Sequence, residues 1–162
     1  MAHDPARALI DRLGLEPLPR EGGFFRSTWR SETASAIYFL ITPQGFSALH
    51  RMTQDEVWFF HAGDPVEQTQ LDPRDGSVRV LRLGANVLAR EQPQVVVPAG
   101  VWQGSRLAPA APSATAQGFA LVSCIVSPPW DERDFTLGAR VALTREFPTA
   151  APVIAALTRD DF

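Results

Sequence analysis

Two side chains near the middle of the chain carry most of the chemistry this sequence can offer. His50 and Glu56 stand six residues apart in GFSALHRMTQDEVWFFHAG, residues 45–63. An imidazole titrates near neutral pH, and burial moves a carboxyl upward toward it, so the two can share or pass a proton. Gln103 follows in VVVPAGVWQGSRL, residues 95–107. A neutral amide can orient a ligand or bridge two strands, and it is a poor metal ligand. Tyr38 is the only tyrosine, so a catalytic acid of tyrosine type would have to be Tyr38. Arg26 can hold a phosphate or carboxylate, or can be a solvated strand arginine. Phe24, Trp58 and Trp102 are candidates for a ligand-binding wall, and tryptophans of this kind fill core equally often. Glu21-Gly22-Gly23 either lets backbone approach a ligand closely or forms a plain turn. His3, near a terminus, and His61 are read as unlinked to this group.

Composition removes several classes of function. The chain has 162 residues, enough for one domain with one core. A net charge of −3 leaves no basic footprint for nucleic acid. Lysine is absent, which excludes a Schiff base and pyridoxal-phosphate chemistry, and no cofactor is expected. Cys124 is the single cysteine, so an intrachain disulfide and a cysteine zinc cluster are both excluded. A cytoplasmic location is expected: no apolar run is long enough to span a membrane, and the start of the chain carries Asp4 and Asp11 rather than a basic leader. The serines near His50 lack the strand-to-helix elbow of a serine hydrolase.

The elements that must position these groups are mostly short strands. Asp4-Pro5-Ala6 predicts a helix start, with Leu9, Ile10 and Leu13 on one face and Gly14 as its stop. Beyond it, residues 23–30, 35–42, 46–52, 56–61, 66–71, 78–83, 94–97 and 118–127 read as strands rich in Val, Ile, Phe and Trp. Asp72-Pro73-Arg74-Asp75-Gly76 reads as a hairpin turn. Residues 108–117 read as an exposed loop, and two short helices are expected near 138–146 and 152–158. Many short strands with regular turns point to an all-β jelly-roll barrel rather than alternating strands and helices. Strand alternation then sets faces. If His50 points inward, so do Ala48 and Met52. If Glu56 does, so do Trp58 and Phe60, while Val57, Phe59 and His61 point out.

The two segments resemble the signature segments of the cupin superfamily of small β-barrels. Glu56 and Gly63 keep the spacing of the first signature, and His50 sits at its first histidine; Gly45 is one residue too close and Met52 replaces the second histidine. Pro98 and Gly100 fit the second signature, where Gln103 replaces a histidine and Leu107 an asparagine. From Leu13 to about Leu157 the chain is similar to one branch, the cupin-five family of unknown function. The stretches that carry this likeness are LGLEPLPREGGFFRSTWRS, SAIYFLITPQGFSALHRMTQDEVWFFHAGDP and QVVVPAGVWQGSRL. The resemblance implies an RmlC-like jelly roll, a pocket inside the barrel and a homodimer. It frames three functions. The first is binding of a sugar or other small polar molecule, with isomerase- or epimerase-like proton transfer by His50, Glu56 and Tyr38, and with Arg26 and Gln103 positioning it. The second is a metal-dependent enzyme with His50, Glu56 and Gln103 as a depleted ligand set; one inward imidazole argues against it, and no bound metal is expected. The third is a non-catalytic binding or sensor module.

Overall fold

A computed structural model describes residues 4–110 and 115–159. Its strands form two facing antiparallel sheets. The six-stranded sheet runs β1 (Glu16–Pro17), β2 (Phe24–Arg30), β3 (Ser35–Ile41), β10 (Ala120–Ser127), β5 (Asp55–Gly63), β8 (Gln94–Val97). The five-stranded sheet runs β11 (Phe135–Leu137), β4 (Ser47–Met52), β9 (Trp102–Leu107), β6 (Val66–Asp72), β7 (Ser77–Leu83). Sequence neighbours repeatedly cross between sheets, as in a jelly roll. The fold is the all-β jelly-roll barrel that the strand pattern predicts.

Alternation fills the space between the sheets. Phe39, Ile41, Trp58, Val95, Val97, Val122 and Cys124 form one buried cluster. The outer faces are covered as well. Helix α1 (Pro5–Leu13) lays Leu9, Ile10 and Leu13 against Leu40, Phe24, Tyr38 and Leu121 of the larger sheet. Asp4 accepts the Arg7 amide at its start, and Gly14 ends it at φ 63°. Helices α2 (Arg140–Glu146) and α3 (Ala151–Ala156) bury Leu143 and Ile154 against Leu49, Leu71 and Trp102 of the smaller sheet. The expected 72–76 hairpin joins β6 to β7, with the Gly76 amide 2.9 Å from Asp72 O and Gly76 at φ 73°.

Three strands are additions to the sequence reading: β1, β9 and β11. β9 lacks any β-branched residue, because it runs close beneath other elements. A Cβ on its Gly104 would lie 2.9 Å from Leu49 Cγ and 3.1 Å from Leu157 Cδ1. The close approach that makes this strand also removes its propensity signal. Residues 108–110 and 115–117 carry no regular structure; the remainder of that expected loop, and His3, lie outside the described residues.

Gly63 ends β5 at φ 99°, where an added Cβ would overlap the Phe119 carbonyl oxygen. Gly76 has a similar φ of 73° but open space around it. Gly63→Ala should therefore cost at least ~2 kcal/mol, and Gly76→Ala only about 1 kcal/mol of backbone strain. Urea denaturation of both variants checks this, and equal losses would refute the close-packing account of Gly63.

Candidate functional site

The six-stranded and five-stranded sheets splay around a cavity of about 390 Å³. Phe25, Ile37, Phe39, Met52, Trp58 and Val126 give it apolar walls. Its polar groups are few: Glu21, His50, Glu56 and Cys124 inside, with Ser27 and Ser35 along β2 and β3. Arg20, Arg30, Trp130 and Glu132 stand exposed at the rim. An apolar pocket with a small set of convergent polar groups is the usual form of a small-molecule site.

His50 enters from β4 and is 3% exposed. Its Nδ1 lies 2.7 Å from Ala48 O. A carbonyl can only accept, so Nδ1 carries the proton and Nε2 of the neutral ring is a lone pair. The ring stacks on Phe135, with centroids 5.1 Å apart and planes at 22°. Glu21 Oε1 is 3.9 Å from Nδ1 and accepts the Ser47 hydroxyl at 2.7 Å.

Glu56 enters from β5. Gln103 Nε2, on β9 of the opposite sheet, donates to Glu56 Oε2 at 2.5 Å. Trp58 Nε1 donates to Gln103 Oε1 at 3.1 Å. Burial holds the Glu56 carboxyl above the usual glutamate range; the His50 imidazole pulls it back, the Glu21 charge adds to the rise, and hydrogen bonds from Gln103 and Trp58 moderate it. The Cys124 thiol, also buried and beside Glu56, is pushed well up, which keeps it protonated and a weak nucleophile.

His50, Glu56 and Trp58 thus meet at one cavity, and Gln103 stands behind Glu56 as a bridge between sheets. Four expected site residues lie elsewhere. Tyr38 and Phe24 face outward beneath α1, because β3 and β2 turn Ile37, Phe39 and Phe25 inward instead. Arg26, paired with Tyr38 across the strands, donates to Leu13 O at 3.0 Å and ties down the end of α1. Trp102 packs under the C-terminal helices, with the Arg51 guanidinium 4.7 Å from its ring centre. The inward side of Gln103 already requires Trp102 to face out, so alternation alone could have placed it. Glu21 and Cys124 are the site residues the sequence reading missed. Glu21 sits in a turn, where no strand period applies. Cys124 was legible only as an inward position of β10. The neighbouring glycines serve packing: a Cβ on Gly22 would overlap the Arg159 guanidinium and meet Phe46 O at 2.5 Å. His61 lies exposed on the outer face, 2.5 Å from Ser123 Oγ.

Residues 7–138 match the model of a family described as Cupin superfamily (DUF985). The chain belongs to this cupin family. It is similar over nearly its whole length to two solved structures. One is a hypothetical protein from Leishmania major, 36% identical, covering 96% of this chain and 99% of that one, TM-score 0.87. The other is a protein from Shewanella oneidensis, 38% identical, covering 95% and 97%, TM-score 0.85. A cupin 2 domain-containing protein from Halorhodospira halophila shares the fold at 17% identity, covering 90% and 88%, TM-score 0.59. No curated protein matches the sequence.

In this cupin the Glu56 environment has a consequence for stability. Folded Glu56 holds its proton more tightly than an ordinary glutamate near 4.5. Between that value and the raised folded value the native state binds more protons than the unfolded chain. Stability therefore falls as pH rises through this window, and the cost is fully present above it. Glu56→Gln keeps the shape and removes the charge, so it should raise the urea midpoint near neutral pH and lose that advantage below pH 4.5. A constant difference across the pH series would contradict the burial account.

Proposed function

We propose that this protein binds a small molecule in the barrel cavity and exchanges a proton with it through Glu56 and His50, an isomerase-like reaction. The observation that carries the reading is the pairing of a lone-pair imidazole nitrogen with a carboxyl of raised pKa at one apolar cavity. One of the two groups serves as base and the other as acid, since Tyr38 lies on the opposite face of β3. Gln103 holds Glu56 in position, and Trp58 lines the wall. The non-catalytic alternative uses the same groups for binding alone.

A metal-dependent reaction is the competing reading among cupins. Bacillus subtilis oxalate decarboxylase, 13% identical and similar in fold, is described with Mn(II) centres. The donors of this chain do not fit such a centre. The Gln103 carbonyl oxygen already accepts Trp58, its amide nitrogen faces Glu56, and Met52 stands where a second imidazole would. Among the described residues, no group of three or more His, Cys, Asp or Glu side chains is placed to hold a metal ion.

The reading extends to assembly and location. Val57 and Phe59 face out on β5, and Val57 is level with Ile125 of β10 and Val96 of β8 in the register. Val96 is 51% exposed. This apolar strip supports a symmetric homodimer. A cytoplasmic location fits the free, buried Cys124, and no helix among the described residues is long and apolar enough to cross a membrane.

Native mass spectrometry of the purified chain should show twice the chain mass and a retained small molecule. With that molecule as substrate, Glu56→Gln should cut turnover ~10²-fold or more while KM changes less than ~3-fold. Unchanged turnover would remove Glu56 from the chemistry, and unchanged turnover in both Glu56→Gln and His50→Ala would leave a binding module. A monomer mass at micromolar concentration would refute the dimer.

A further inference from the structure

The free polar atoms at the deep end of the cavity are acceptors. His50 spends Nδ1 on Ala48 O, so Nε2 offers a lone pair. Glu21 accepts Ser47 at Oε1 and keeps Oε2. Glu56 accepts Gln103 at Oε2 and keeps Oε1. The Cys124 thiol lines the same cavity, and burial keeps it protonated.

Among the described residues these carboxyl groups also lack an arginine or lysine partner. The chain has no lysine. Arg159 lies against Glu21, and it gives its N–H groups to the backbone oxygens of Glu21 and Phe46. At the rim, Arg30 donates to Trp130 O at 2.7 Å, and Arg20 lies 3.9 Å from Glu132. Among the described residues the one ion-pair partner of Glu21 is His50, and Glu56 has none. Two carboxyls in an apolar cavity that share one imidazole as their sole cationic partner are costly, and a bound cation relieves that cost. The walls suit such a ligand, because Phe25, Phe39, Trp58 and Phe135 surround the acceptors with rings and aromatic faces attract cations.

We propose that the ligand of this cavity buries a protonated primary amine among Glu21, His50 and Glu56 and lays an apolar body along Phe39 and Trp58. The proposal rests on the reading of the cavity as a ligand site and names the class of ligand. A primary ammonium brings three N–H donors to three acceptors. A carboxylate or phosphate would meet two carboxyls and a lone pair. A sugar would place most of its hydroxyls against apolar walls, unpartnered. For a divalent metal ion, no group of three or more His, Cys, Asp or Glu side chains among the described residues is placed to hold it. The volume of about 390 Å³ suits a ligand with one ring and a short chain, at the lower end of the usual range of about 300–1,000 Å³.

Isothermal titration of the full chain with four probes tests this: 2-phenylethylamine, 2-phenylethanol, phenylacetate and manganese(II) chloride. The amine should bind at least ~10-fold more tightly than the alcohol, because a charged donor adds to the hydrogen bond, and phenylacetate should not bind. Glu21→Gln and Glu56→Gln should each weaken the amine ~10-fold and leave the alcohol within ~3-fold. The two variants guard against a folding defect in either one, with melting curves as the control. Equal affinity for amine and alcohol, or tighter binding of phenylacetate, would overturn the amine and leave the cavity standing as a ligand site. One manganese ion per chain that displaces the amine would overturn it in favour of a metal centre. No binding of any probe at millimolar concentration would overturn both the amine and the cavity reading.

Discussion

The bridge through Gln103 is the constraint on which the site depends. Its amide joins the two sheets across the barrel. Oε1 accepts Trp58 and Nε2 donates to Glu56, both on β5, while the residue itself belongs to β9. An amide with both ends spent has one orientation, so it fixes the tryptophan and the carboxyl together. Beside it, Gln70 is its register partner on β6 and donates to Gln68 Oε1 and to Val96 O of the opposite sheet. Gln68, Gln70 and Gln103 are at most 2% exposed. Together they form a polar layer across the barrel, and the cavity with its carboxyls lies to one side of it. A buried amide layer of this kind is costly unless its partners are met, which makes the spacing of the two sheets at this level hard to vary.

The second constraint is that neither sheet has a wholly wet face. α1 covers part of the larger sheet and the C-terminal helices cover the smaller one. Strands under a helix are apolar on both faces, as SAIYFLI of β3 illustrates. The inward set Ile37 and Phe39 and the outward set Tyr38 and Leu40 then differ little in type. Polar groups break this symmetry. His50, Glu56 and Gln103 are buried where apolar residues would pack at less cost, and this marks the inner face of three strands from two sheets.

That asymmetry explains what the sequence made legible. The helix caps, the 72–76 turn and most strands were readable from local chemistry, because each rests on residues near one another in the chain. The inward positions of His50, Glu56 and Trp58 were readable from alternation anchored on a costly polar residue. Phe24, Tyr38 and Arg26 went wrong for one reason: no buried charged or amide residue anchors the phase of β2 and β3, and α1 supplies the apolar cover that hides it. Trp102 went wrong differently, since its neighbour Gln103 did anchor the phase. Glu21 was out of reach, because its position depends on Ser47, His50 and Arg159, three residues remote in sequence.

The replaced residues of the cupin frame carry the last step. A histidine at position 103 would present a lone pair to the cavity or to an ion. Glutamine turns instead into the protein, toward Trp58 and Glu56, and closes the wall. A histidine at position 52 would add a second imidazole beside His50. Methionine adds a buried, polarizable thioether that packs. The two exchanges act in one direction: they remove metal donors and leave the carboxyls of Glu56 and Glu21 without a fixed counter-charge. The barrel that remains has the shape of a cupin pocket but a different electrostatic balance, rich in acceptors and poor in cations. The burial that raises the Glu56 carboxyl and the carbonyl that fixes the His50 tautomer are both consequences of the strand geometry around them. The acid–base character of the cavity is therefore a property of the fold at this point, set by which side chain the frame turns inward.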